Sequence, residues 1–278
     1  MLTDWETRRG RDIAHARRRV EWVAGRIAVK WLVLRQTLSA ASARREAASH
    51  AWPPEMWLVG ERELQIFAPE RYRQLEVSRD EHGAPSLVAM SGLDTADIVG
   101  TRVSIAHSHG WAMAAVGSCG GIGVDIEAVA PRHPGFFESV LSDRERKWMR
   151  GLAERDANRL GTLLWVLKEA FLKTGASIAR SVWEIGAIEL DIPRRADSVL
   201  EHWPHESTSA GAPATPRLLS LPIRSTVDHA AAQMHAAYSA FGDMIVGVVA
   251  VTVPESTWPP PSDARGWSVT TSVTSDSI

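Results

Sequence analysis

The sequence predicts an α+β fold in which helix, strands, helix and strands follow one another, on three observations. Two long proline-free stretches carry apolar residues at helical spacing, segments of period-two hydrophobicity lie between and after them, and two short echoes relate the first half of the chain to the second. The length of 278 residues and 45% hydrophobic composition allow a buried core in one large domain or two smaller ones.

The opening stretch from Asp4 to Leu38 is predicted helical, with Val20, Val23, Ile27 and Leu34 on one face. Strands are predicted over Leu75 to Arg79, ahead of the turn His82-Gly83-Ala84-Pro85, then over Val103 to Ser108, Trp111 to Val116 and Ile122 to Glu127. A second helix is predicted from Asp143 to Lys173, where Leu160, Leu164, Leu167 and Phe171 form an apolar stripe. Leu2-Thr3-Asp4-Trp5-Glu6 echoes Leu141-Ser142-Asp143-Arg144-Glu145, each just ahead of a helix, and Gly110-Trp111-Ala112-Met113 echoes Gly242-Asp243-Met244-Ile245 ahead of an apolar strand. Read as an internal repeat, the echoes give two similar α/β lobes: an N-terminal lobe over 1–130 and a C-terminal lobe over 131–253, parted at Ala130-Pro131-Arg132-His133-Pro134. Residues 197–226, rich in Ser, Thr, Ala and Pro, are expected to be a disordered insertion, and residues 254–278 a disordered tail.

Composition narrows the function classes. The apolar runs fall far short of the roughly 18 residues of a membrane span, and no basic-then-apolar signal opens the chain, which predicts a soluble protein with no membrane partner. The single Cys119 has no partner for a disulfide or a zinc cluster and agrees with a cytoplasmic location. A net charge of −2 argues against a nucleic-acid partner, although Arg8, Arg9, Arg11, Arg17, Arg18 and Arg19 make the first helix locally basic, suited to solvent or to an anionic partner.

Three constellations could carry chemistry. In Gly123-Val124-Asp125-Ile126-Glu127, strand alternation sends Val124 and Ile126 to one face and both carboxylates to the other, where they could hold a magnesium ion or simply edge an amphipathic strand. Along the second helix Trp165, Glu169 and Lys173 fall at i, i+4 and i+8, a spacing that also serves a plain Glu-to-Lys ion pair. In Val103-Ser104-Ile105-Ala106-His107-Ser108-His109-Gly110 a strand runs into His107 among small residues, where it could be packed or could donate to phosphate.

In this order and spacing the three resemble the 4′-phosphopantetheinyl transferase superfamily. Its signature couples a Gly-Val/Ile-Asp-Ile-Glu strand to a downstream Trp-x-x-Lys-Glu-Ala/Ser-x-x-Lys helix, matched here at Asp125 and Glu127 and at Trp165, Lys168, Glu169 and Lys173. Ser-x-Ala-His-Ser ending at Ser108 looks like the family's Ser-His-Ser element, Arg79 with Gly83-Ala84-Pro85 looks like its Arg then Gly-x-Pro turn, and Ala24-Gly25-Arg26 is similar to a further family feature. The length is similar to the larger, surfactin-synthetase-activating type, in which two pseudo-twofold-related lobes of one chain form the site, which implies a monomer.

The resemblance implies an enzyme that moves the phosphopantetheine arm of coenzyme A to a serine of an apo acyl- or peptidyl-carrier protein and releases 3′,5′-ADP. Such activation serves fatty-acid, polyketide and nonribosomal-peptide biosynthesis. It implies Asp125, Glu127 and Glu169 as ligands of Mg2+, and Arg26, Arg79, His107, Lys168 and Lys173 as contacts of the coenzyme. Glu169, with Lys173 and Glu127, would serve catalysis. The basic face around Arg17 to Arg19 would help dock an acidic carrier. Two departures stand out: Ala106 replaces the family's usual Ser or Thr, and Met1 lies so near the first helix that the strand the family often places earlier is missing. The rival readings are a relative that binds coenzyme A or a carrier without transfer, and a nucleic-acid binder using the arginine-rich helix.

Overall fold

A computed structural model describes residues 1–43, 55–59, 61–117, 120–175, 182–190, 200, 203, 219–221, 233–252 and 268–273. Along the chain run α1 (Asp4–Arg11), α2 (Ala16–Ala43), β1 (Glu55–Val59), α3 (Glu61–Leu64), α4 (Pro69–Arg73), β2 (Leu75–Arg79), β3 (Pro85–Ala89), β4 (Arg102–Ser108), β5 (Trp111–Gly117) and β6 (Gly121–Ala128). They are followed by α5 (Pro134–Val140), α6 (Asp143–Met149), α7 (Glu154–Lys173), β7 (Leu219–Leu221), β8 (Gln233–Phe241), β9 (Met244–Thr252) and β10 (Ser268–Val273). The elements fall into two compact units, Met1–Cys119 with Pro259–Ile278, and Gly120–Trp258.

In the first unit, Thr3 caps α1 in a capping box with Glu6, satisfying backbone donors that a helix start leaves open. The helix expected to continue to Leu38 instead breaks at Asp12, and α1 folds back on α2, where Gly10 leaves room for the Trp22 ring. A buried ion pair explains the break. Glu6 Oε2 lies 2.5 Å from Lys30 Nζ with neither side chain exposed, whereas one continuous helix would hold positions 6 and 30 about 36 Å apart. The apolar face of α2, including Val29, Leu32 and Val33, packs with Tyr72, Leu75, Val103, Ala114 and Val116. The sheet beneath has the order β1-β10-β5-β4, and β2 and β3 form a separate hairpin.

The second unit is an antiparallel sheet of order β6-β9-β8-β7 with α7 laid across it. The predicted stripe of Leu160, Leu164, Leu167 and Phe171 is buried against Ile245, Val249 and Tyr238. Here too an expected continuous helix is two, α6 and α7, parted at Gly151, whose φ of 84° favours glycine. The device repeats: Ser142 and Glu145 form a capping box, and Glu145 Oε2 lies 2.5 Å from Lys168 Nζ with both side chains fully buried. The backbone anchors repeat as well. Lys30 donates to the Met1 carbonyl and Lys168 to that of Val140, while Glu6 accepts from Val77 N–H and Glu145 from Leu190 N–H. The echo of Leu2–Glu6 in Leu141–Glu145 therefore marks one clasp built twice.

The strands predicted from alternation stand within a residue or two of their expected bounds. The division between units falls at Gly120, ahead of β6, rather than at 130, because β6 pairs with β9 and belongs to the second sheet. Two strands lie in stretches expected to be disordered: β7 within 197–226, paired with β8, and β10 within 254–278, paired with β1 and β5. The run Ser-Val-Thr-Thr-Ser-Val over 268–273 reads as a strand only once its partners β1 and β5 are known. The remainder of those two stretches, other than Leu200 and Trp203, and Cys119 lie outside the described residues.

Candidate active site

Glycines set the height of α7 above its sheet. A Cβ at Gly123 would lie 1.7 Å from the Ala170 carbonyl oxygen and one at Gly121 2.4 Å from that of Thr174, so the last turns of the helix rest directly on the β6 backbone. Gly247, paired with Asp125 across the ladder, has the same role, since a Cβ there would meet Val166 and Leu167. With period-two alternation, Asp125 and Glu127 continue the face of Gly121 and Gly123 and emerge beside the end of α7, where Glu169 and Lys173 project.

Lys173 Nζ donates to Asp125 Oδ1 at 2.7 Å and to the Val124 carbonyl at 3.1 Å, using two of an ammonium's three hydrogens. Asp125 is only 7% exposed, and its Oδ2 is buried with no hydrogen-bond partner among the described residues. Burial pushes the Asp125 carboxyl up, against the pull of Lys173. Glu169 is raised to about 7, first by burial and then by Asp125, with Lys173 opposing and Glu127 adding to the rise. Glu127 Oε2 meets Arg132 Nη2 at 3.2 Å. Arg132 also donates to the Ala128 carbonyl and lies 4.8 Å from the Phe136 ring centroid, and that ring stacks edge-on against Trp165 at 5.1 Å.

Three carboxylates thus face two cations, Lys173 and Arg132, and one carboxylate oxygen is buried without a donor. Hard oxygen donors with surplus negative charge suit a magnesium-like cation, so Asp125, Glu127 and Glu169 fit the ion expected of them. They are not held as a closed cage: among the described residues no three His, Cys, Asp or Glu side chains converge as a ready metal site. Magnesium is suited by such an open arrangement, because it keeps waters and takes phosphate oxygens alongside one or two carboxylates.

Lys168, expected to contact the coenzyme, stands in the core rather than at the surface. Its ammonium is fully buried on Glu145 and the Val140 carbonyl. Burial lowers its pKa and Glu145 partly restores it.

The remaining expected contacts lie in the first unit. His107 ends β4 with Nδ1 3.4 Å from Glu21 Oε2. Arg26 is only 5% exposed, with its guanidinium 3.4 Å from the Trp22 ring centroid and its buried Nε unpartnered among the described residues. Burial lowers its pKa to about 10; Glu6 opposes this, and the positive charges of Arg79 and Arg9 add to it. Arg79 is exposed at the β2 end, where Nη1 donates to the Gly83 carbonyl across a turn held by Asp80. Ala106 is buried, pointing to the face of β4 opposite His107.

Two residues of these sites carried no distinct signal in the sequence. Arg132 read as part of an interdomain segment, and Glu21 drew no reading. Arg132 is defined by neighbours within five residues, Glu127, Ala128 and Phe136, and Glu21 by Gly110 and His107 far along the chain.

Residues 121–204 match the family model of the 4′-phosphopantetheinyl transferase superfamily. The match begins at β6 and contains Asp125, Glu127, Arg132, Glu145, Lys168, Glu169 and Lys173. Comparison with curated proteins gives no match.

Proposed function

We propose that this chain, whose second unit carries a domain of the 4′-phosphopantetheinyl transferase superfamily, transfers the 4′-phosphopantetheine arm of coenzyme A to a serine of an apo acyl- or peptidyl-carrier protein. The observation that carries the reading is the set of Asp125, Glu127 and Glu169 around Lys173, inside the segment that matches the family.

The serine hydroxyl attacks the β-phosphorus of coenzyme A, its proton passes to Glu169, and the bond to the leaving 3′,5′-ADP breaks. Without metal the Glu169 carboxyl is raised to about 7 and half-ionised at neutral pH, and magnesium beside it would favour the ionised form that accepts the proton. Lys173, anchored by Asp125 and the Val124 carbonyl, would give its third hydrogen to a phosphate oxygen. Magnesium held by Asp125, Glu127 and Glu169 would supply charge neutralisation of the pyrophosphate. Arg132 orients the Glu127 carboxylate from behind. His107, Arg26 and Arg79 are the proposed contacts of the coenzyme's other phosphates; Arg26 would have to leave its present burial to make one. The repeated clasp supports the view that the two units are copies of one α+β lobe.

Among the described residues no helix is long and apolar enough to cross a membrane. The test is the intact mass of an apo carrier protein after incubation with this protein, coenzyme A and magnesium, beside a chelator control. A metal-dependent gain of one phosphopantetheine arm establishes the transfer. No gain on acyl- or peptidyl-carriers, with coenzyme A still bound, refutes it and leaves a binding protein.

A further inference from the structure

Helix α2 and strand β4 meet in register. A Cβ on Gly25 would lie 2.6 Å from Ile105 Cγ2, so the two backbones approach closely at that point. One turn back along α2, about 6 Å, stands Glu21, and two residues on along β4, about 6.7 Å, stands His107. The match of those two rises brings the pair together.

Glu21 is a carboxylate with two donors and an imidazole beside it. Oε1 accepts from the Gly110 backbone N–H at 2.8 Å and from Arg17 Nε at 3.2 Å, and Oε2 faces His107 Nδ1 at 3.4 Å. Its side chain is 9% exposed, that of His107 37%. Gly110 and His109 form the β4–β5 turn with φ of 84° and 51°, and His109 is the only non-glycine residue with positive φ among the described residues. One carboxylate therefore holds both the unusual turn and the imidazole beside it. A carboxylate on Nδ1 fixes the ring orientation, favours the charged imidazolium, and turns the opposite edge, Nε2, away from α2. Arg17 on α2 and His109 in the turn, whose Nδ1 is engaged with Ser108 Oγ, are charged or titratable groups beside this pair among the described residues.

We propose that Glu21 is a positioning residue for anion binding: it holds the His107 ring and its positive charge so that Nε2 donates to a phosphate oxygen of coenzyme A. This rests on the reading of the protein as a coenzyme A user with His107 among its phosphate contacts.

The experiment is calorimetric titration of coenzyme A into the full-length protein and its variants His107→Ala, Glu21→Gln and the double variant. Glutamine keeps an acceptor for Gly110 N–H and loses the charge, so a role confined to the turn survives the change. Glu21→Gln and His107→Ala are each expected to raise the Kd on the order of tenfold, and the double variant to be no weaker than His107→Ala alone. A raised Kd for His107→Ala with an unchanged one for Glu21→Gln overturns the inference and leaves the functional reading standing. An unchanged Kd for His107→Ala overturns the assignment of His107 itself. The 15N shifts of His107 in the unmodified protein give a test independent of how the variants fold: Nδ1 is expected to carry a proton at neutral pH, and an unprotonated Nδ1 overturns the proposal.

Discussion

Replacing Lys168 by Met removes one member of a fully buried ion pair and separates its two readings, as a coenzyme contact and as part of the clasp. The Glu145 carboxylate, 2.5 Å from the lost ammonium, would keep its donors from the backbone N–H groups of Ser142 and Leu190 and lose its counter-charge. An uncompensated buried charge of this kind costs about 3–5 kcal/mol. The Val140 carbonyl loses its donor as well, a contribution of about 1–3 kcal/mol that overlaps with the first. The expected loss is about 4 kcal/mol of unfolding free energy, read from the urea midpoint at constant m-value. Lys168→Met with Glu145→Gln should recover part of it, because the second change removes the stranded charge. Coenzyme A affinity, measured where both proteins are folded, should stay unchanged. A stability loss below about 1 kcal/mol together with weakened coenzyme binding would refute the structural role and restore the coenzyme contact.

Further outcomes follow from the same geometry. Gly123→Ala would place a Cβ 1.7 Å from the Ala170 carbonyl oxygen, so α7 must lift from β6; transfer activity is expected to fall with stability, by about 2 kcal/mol or more in thermal or urea unfolding. Glu169 has a folded pKa of about 7 against 4.5 for an unperturbed glutamate, so between those values the folded state binds more protons than the unfolded one. The stabilising effect of Glu169→Gln in metal-free protein should therefore be absent below pH 4.5, grow as pH rises to 7 and shrink when magnesium is added, as measured by paired thermal melts. Arg8, Arg9, Arg11 and Arg18 are exposed along α1 and the start of α2. If the basic face around Arg17 to Arg19, which these residues extend, steers an acidic carrier, the KM for carrier should rise between low and moderate ionic strength; a salt-independent carrier KM would remove the patch from the docking surface. Asp125→Ala should abolish transfer while a folded protein remains, and retention of most activity would sink the assignment of this carboxylate.

Much of the site was legible because its chemistry is local. Asp125 and Glu127 share a face through the two-residue period of a strand, and Glu169 and Lys173 share one through the four-residue spacing of a helix, whatever the rest of the chain does. The glycines of β6 were legible as part of a motif, but their reason, the seating of α7 on the strand, needed the helix in place. Glu21 and the burial of Lys168 were not legible, since Gly110, His107 and Glu145 lie far from them in sequence, and Arg132 belongs to no motif although Glu127 stands only five residues before it.

By itself, the sequence determined the element types, the apolar stripe of α7, the alternation of β6 and the paired signals ahead of each helix. Tertiary structure alone decided where the helices break and which charged side chains are buried. The physical reason is that periodicity is written residue by residue, whereas a charge such as Lys30 or Lys168 enters a core only when a partner more than twenty residues away folds back to meet it.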